Sequence, residues 1–237
     1  MRSNGWGKPI IALDIDGTLG DYHGHFLAYA EGWFGQKFPP PSQVNPGLKL
    51  WEFMGVLVED YRQCKLAYRQ GGMKRTMPAY ALSGAFTQSM RRMGAEVWLC
   101  TTRPYMRLDN IDPDTREWAR RNGIQYDAVL LDGIDEKYSK YKELKRQAEG
   151  RVALIADDLP ELVGSALEMF PEAVVVLRDQ PYNQHVETNY DIHSGWAGEG
   201  VSFGCPANSP IRAYSSAGIM EAALHALGVW KHHHRED

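Results

Sequence analysis

Five short apolar runs, at residues 10–13, 96–100, 128–131, 152–156 and 173–177, alternate with segments of helical character. The runs are rich in Val, Ile, Leu and Ala and nearly continuous in hydrophobicity. Such runs fit strands covered on both faces, which is the environment of a parallel sheet. Helical patterns lie between them at 79–93, 113–122, 136–148 and 160–170. Gly94, Gly123 and Gly150 follow three of them, where C-terminal caps fall. Pro160 suits a helix's first turn, and Asp112 before Pro113 reads as an N-cap. Alternating strands and helices predict an α/β fold, a Rossmann-like parallel sheet with right-handed crossovers and helices on both faces.

In such sheets, ligands sit beyond the carboxyl ends of the strands. The first run ends in Asp14-Ile15-Asp16-Gly17-Thr18, the second in Thr101-Thr102-Arg103, the fourth in Asp157-Asp158. All three polar clusters fall on one edge of the predicted sheet. Asp14 and Asp16 are two positions apart, which puts them on one face of an extended chain. Two carboxylates held together repel, so a divalent cation, a lysine or a shared proton belongs beside them. Gly17 permits a tight turn or a close approach, and Thr18 offers a hydroxyl and an N–H to an anion. The pattern reads as a site for chemistry on phosphate. A calcium loop is a poor fit, because its twelfth residue, a Glu in that motif, is His25 here. A plain Asp-Gly turn leaves the second carboxylate pair unexplained.

With 237 residues, 43% of them hydrophobic, the chain suits one core with a sizeable insertion. Residues 1–20 and 79–237 read as that core, and residues 21–78 as a small, mostly helical cap inserted after the first strand. The cap carries Trp33, Phe34, Phe38, Trp51, Phe53, Tyr61 and Tyr68, a helical pattern at 56–70, and a stiff Pro39-Pro40-Pro41 turn. Its aromatics suit a mini-core first and a base-stacking platform second, with Trp33 and Phe34 the candidates for stacking. Residues 180–215 read as a long polar, Gly-rich loop in which Asn183 or Trp196 could border the pocket. Residues 216–227 read as a closing helix.

The net charge of −4 argues against a protein that neutralises many phosphates of extended nucleic acid. The three cysteines are widely spaced, without a zinc pattern, which fits a reducing, cytoplasmic setting. No apolar run approaches the ~20 residues of a membrane span, and Met1–Trp6 lacks a signal-peptide pattern. Nothing in the sequence defines an oligomeric state.

Asp14-x-Asp16-Gly17-Thr18, Thr101 after a strand, and Asp157-Asp158 after another together resemble the signature set of the haloacid dehalogenase-like (HAD) phosphohydrolases. The resemblance spans roughly residues 8–20 and 80–178. Cys100-Thr101-Thr102-Arg103-Pro104 and the later Pro181-Tyr182-Asn183 are similar to the deoxyribonucleotidase and polynucleotide-phosphatase branches, which include many phage-encoded proteins. The resemblance implies that Asp14 is a nucleophile forming an aspartyl-phosphate and Asp16 a general acid and base. It implies that Thr101 holds a phosphoryl oxygen, and that Mg²⁺ is held by Asp14, Asp16 through its backbone carbonyl, Asp157 and Asp158. It asks for a lysine before the acidic strand. Lys140 is favoured by its spacing from Asp157, with Lys137 the alternative one turn away. Thr18, Thr102 and Arg103 are candidates for substrate binding. For Arg103, a salt bridge to Asp109 or Asp112 is an equal alternative. The expected substrate is a small phosphorylated molecule, a (deoxy)ribonucleoside monophosphate above all. The alternatives are a polynucleotide 3′-phosphatase and a non-catalytic binding protein of the same fold.

Overall fold

The computed structural model describes residues 7–43, 45, 48–103, 108–131, 139–188, 190–192 and 209–233. Among them lie seven strands: β1 (Ile10–Leu13), β2 (Glu96–Thr101), β3 (Ala128–Leu131), β4 (Val152–Asp157), β5 (Val174–Arg178), β6 (Tyr190–Ile192) and β7 (Ile211–Ala213). They form one sheet in the order β3-β2-β1-β4-β5-β7-β6, and every pairing is parallel. β1 sits near the middle, paired with β2 on one side and β4 on the other. The five expected strands are present to within a residue at each end. β6 and β7 lie inside the stretch read from sequence as a loop, which is a correction. Each has only three residues, too few for a periodic signal.

Alternate residues along the strands feed two hydrophobic layers. Ile11, Leu13, Val97, Leu99, Val174 and Val176 face α4 (Ser83–Arg92), α5 (Ile111–Arg121) and α8 (Ser216–His233). Ile10, Ala12, Trp98, Cys100, Val175 and Leu177 face α6 (Ser139–Ala148) and α7 (Pro160–Met169). This is the period-two consequence of a sheet covered on both faces. Gly94, Gly123 and Gly150 all carry positive φ after their helices, as C-terminal caps do. The expected cap at Asp112 is corrected. α5 starts two residues earlier with Asn110 as N-cap, and Asp112 instead pairs with Arg116 one turn along. No helix among the described residues is long and apolar enough to cross a membrane.

Between β1 and α4 lie α1 (Tyr22–Phe34), α2 (Leu50–Met54) and α3 (Val58–Gln70). The chain leaves and re-enters the core side by side. Asp21 N–H donates to Pro78 O at 2.8 Å and Tyr80 N–H to Leu19 O at 2.9 Å. Phe26, Tyr61 and Tyr68 pack edge to face and are buried in the same cluster as Ile11 and Leu13. Most of the aromatics of this insertion therefore serve packing.

Trp118 of α5 is fully buried, and its Nε1 donates to Met77 O at 2.8 Å, tying the returning segment to the core. Trp118→Ala should cost on the order of 3–5 kcal/mol. Urea unfolding of the variant beside the wild type measures it; a loss below about 1 kcal/mol would contradict this packing account.

Candidate active site

Asp14 follows β1, and its N–H donates to Ala156 O at 2.9 Å, continuing the ladder between β1 and β4. Thr101 and Asp157 end β2 and β4. Parallel register thus delivers three strand ends to one edge of the sheet, where four aspartates collect into three groups, each with its own partners.

The first group is Lys140 between Asp14 and Asp157. Lys140 comes from the first turn of α6 and is fully buried. Its Nζ donates to Asp14 Oδ1 at 2.8 Å, Asp157 Oδ2 at 2.6 Å and Cys100 O at 3.2 Å. Tyr141 OH donates to the same Asp157 oxygen at 2.7 Å. Burial acts to lower the Lys140 pKa, but Asp14 and then Asp157 raise it far more, so it stays an ammonium. Burial raises the Asp14 pKa, Lys140 opposes this, and Asp157 and Asp16 add to the rise. Lys140, the favoured of the two lysines expected from sequence, is therefore brought to the aspartates. Lys137 lies outside the described residues.

The second group holds Asp158. Thr18 Oγ1 donates to its Oδ1 at 3.2 Å and Tyr182 OH to its Oδ2. Asn183 Nδ2 clamps the Asp158 carbonyl at 2.8 Å, and Arg212 of β7 holds Asn183 Oδ1 at 3.0 Å. Thr18 thus meets a carboxylate, and Asn183 supports the site from beneath instead of lining it. Trp196 lies outside the described residues. Gly17 has φ +98°, and a Cβ there would come within 2.3 Å of Asp158 Oδ2. Its carbonyl accepts from Gln180 Nε2 at 2.6 Å.

The third group was not foreseen. Asp16 accepts from Arg103, with its terminal nitrogen at 2.7 Å and Nε at 3.2 Å, and from Lys74 Nζ. Arg103 also donates to Thr115 Oγ1 at 2.8 Å. Neither Asp109 nor Asp112 is its partner. Lys74 is only 2% exposed and sits 3.9 Å from the Tyr22 ring centroid. Burial and Arg103 lower its pKa to about 7, against the pull of Asp16. Burial tends to raise Asp16, yet Arg103 and then Lys74 hold it well below the usual carboxylate range. In this conformation Asp16 is an ionised, clasped carboxylate. Lys74 lies in the Gly71-Gly72-Met73-Lys74-Arg75 turn, where a lysine looks like a solvated surface residue. Its one sequence signal is the short return that follows, which leaves little room to swing away from the core.

Asp14, Asp157 and Asp158 each present an oxygen within 4.8 Å of the others, all buried. An all-oxygen donor set of this kind fits Mg²⁺. The Asp16 carboxylate is engaged elsewhere, which leaves its backbone carbonyl as the expected contribution. Thr101 Oγ1 is buried without a partner at the same edge, while Thr102 is exposed and lines the adjoining cavity. That cavity, about 190 Å³, is also lined by Asp16, Tyr22, His23, Lys65, Lys74 and Asp158, among others. Trp33 and Phe34 are not brought to it. Trp33 is 48% exposed beside Tyr29, and Phe34 packs against Phe38.

No protein-family model matches the sequence, and no curated protein matches it. Solved structures do resemble the fold. A haloacid dehalogenase-like family hydrolase from Streptococcus pneumoniae superposes with a TM-score of 0.58 at 12% identity, over 90% of this chain and 97% of that one. A predicted phosphoglycolate phosphatase from Haemophilus somnus gives 0.58 at 12%, over 91% and 98%. Protein tyrosine kinase A from Mycobacterium tuberculosis gives 0.60 at 15%, over 92% and 99%. The chain therefore has the α/β fold of HAD-superfamily hydrolases. At these identities the likeness speaks for fold, and the chemistry must be argued from the site.

Two outcomes follow from this geometry. Mg²⁺ titration should raise the wild-type Tm, by about 2.7 kcal/mol of stability at a hundredfold excess over Kd, and Asp157→Asn should blunt the rise. A wild-type Tm indifferent to Mg²⁺ would rule out the metal site. Gly17→Ala should lose on the order of 1–3 kcal/mol from backbone strain alone, before the clash with Asp158, as read by chemical denaturation.

Proposed function

We propose that this chain is a Mg²⁺-dependent phosphomonoesterase working through an aspartyl-phosphate on Asp14. One observation carries the reading: Lys140 draws Asp14 and Asp157 together beside Asp158, next to the unpartnered hydroxyl of Thr101. The likeness to HAD-superfamily hydrolases supports it at the level of fold.

Asp14 attacks phosphorus in line with the leaving oxygen. Lys140 keeps a permanent positive charge against Asp14, which lowers the repulsion between that carboxylate and an incoming phosphate dianion. Thr101 Oγ1 donates to a phosphoryl oxygen. A metal held by Asp14, Asp157 and Asp158 would supply charge neutralisation at the same phosphoryl group. Asp16 serves as acid to the leaving oxygen and then as base toward water, which requires release from its cations. A substrate phosphate competes for Lys74 and Arg103, and as they turn to it Asp16 loses the charges that hold it ionised. Thr18 steadies Asp158.

The substrate is a compact phosphomonoester. The cavity lies below the ~300–1,000 Å³ of pockets that enclose drug-sized ligands. A (deoxy)ribonucleoside monophosphate is the second reading, favoured by the position of Pro181-Tyr182-Asn183 under Asp158. A base would meet Tyr22, His23 and Tyr61 there, not Trp33 or Phe34. A long nucleic-acid partner is disfavoured, because Arg91, Arg116, Arg120 and Arg121 are paired with nearby carboxylates. Free, buried Cys64 and Cys100 support a reducing, cytoplasmic setting.

A phosphate-release screen over nucleotides, sugar phosphates, phosphorylated carboxylic acids and 3′-phosphorylated oligonucleotides tests the reading. Asp14→Asn should keep the fold and remove turnover, because an amide cannot form the acyl phosphate. Asp16→Asn should lose on the order of 10²–10⁴ in kcat. Near-normal release by Asp14→Asn would reject the mechanism.

A further inference from the structure

The cavity beside the aspartates holds more positive charge than one phosphoryl group calls for. Four cationic side chains line it, Lys65, Arg69, Lys74 and Arg103, against two carboxylates, Asp16 and Asp158. Lys74 and Arg103 are matched by Asp16. Asp158 is satisfied by Thr18 and Tyr182. Lys65 and Arg69 have no such match. No carboxylate among the described residues lies within ion-pair distance of either, and Arg69 Nε is buried without a hydrogen-bond partner.

The two lie one turn apart on α3. Like charges at that spacing repel across a helix face. Neither points freely into solvent. The Lys65 ammonium lies 5.4 Å from the Tyr61 ring centroid and 5.9 Å from that of Tyr22, and both rings line the cavity. Burial, and then Arg69, lower the Lys65 pKa to about 8. Two unneutralised cations side by side on a cavity wall make a receptor for an anion. That wall is α3, whereas the phosphoryl-handling groups come from the strand ends. Beside them, His23 Nδ1 is buried without a partner and adds one more polar contact for a bound molecule.

We propose that the substrate carries a second anionic group, a carboxylate or another phosphate, remote from the phosphoryl that reacts, and that Lys65 and Arg69 bind it. Only the assignment of the reacting end rests on the phosphatase reading. A planar guanidinium beside an ammonium suits either oxyanion. The small cavity keeps the two anionic groups close, which favours a short linking skeleton. On this account a nucleoside with one phosphate is a poorer fit than a compact molecule with charge at both ends.

The test compares two inert probes by titration calorimetry with the full chain in Mg²⁺ buffer. Phosphonoacetate carries a phosphonate and a carboxylate; ethylphosphonate carries the phosphonate alone. The wild type should bind phosphonoacetate at least about tenfold more tightly. Lys65→Met with Arg69→Met should erase that preference, and Lys65→Arg should keep it. Equal affinities in the wild type, no binding of either probe, or a preference that survives the double variant would each overturn the inference. The wild-type comparison stands whether or not the double variant folds. A preserved preference in a protein that releases no phosphate from any ester would instead reject the phosphatase reading and leave the second anion site in place.

Discussion

A buried ammonium between two buried carboxylates organises this molecule. Removing Asp14 and Asp157 from water is costly, and Lys140 offsets the cost by contacting both. The arrangement requires three chain segments to end at one place: β1, β4 and the first turn of α6. A third bond, to Cys100 O, ties in β2. The central strands of the sheet are thus fixed in register at their carboxyl ends by one side chain. Breaking such a cluster from one side leaves a buried charge uncompensated, which typically costs 3–5 kcal/mol.

Around that centre, the four aspartates are kept apart in function by what each one touches. Asp14 and Asp157 share an ammonium. Asp158 receives hydroxyl protons from Thr18 and Tyr182. Asp16 faces two cations, one of them Lys74 from the segment returning from the helical insertion. The insertion therefore bears on the charge state of Asp16 as well as lining the cavity.

Much of this was legible because strand hydrophobicity and strand-end chemistry are local signals. The runs at Ile10–Leu13 and Ala128–Leu131 coincide with β1 and β3, and the polar residues after β1, β2 and β4 do meet at one edge. Lys140, favoured by its spacing from Asp157, does contact Asp157. What failed was long-range or too short. β6 and β7 are three residues each within a polar stretch. Of the two readings of Arg103, the salt bridge to nearby Asp109 or Asp112 fails, because its carboxylate partner is Asp16, distant in sequence. Trp33 and Phe34 were offered to the substrate because composition marks aromatic residues without saying which way a helix face points. Lys74, Lys65 and Arg69 carry no motif; only the folded cavity singles them out.

The bonding of Lys140 also fixes its reactivity. All three of its N–H groups are committed, and its raised pKa leaves almost no free amine at neutral pH. It has no lone pair to offer an electrophile, so it can act only as fixed charge. Lys65 and Lys74 are the opposite case. Burial pushes their pKa values down, to about 8 and about 7, so a bound anion would strengthen the charge of each. The cavity wall thus carries lysines whose charge answers to a bound anion, whereas the charge of Lys140 is fixed by the aspartates it joins.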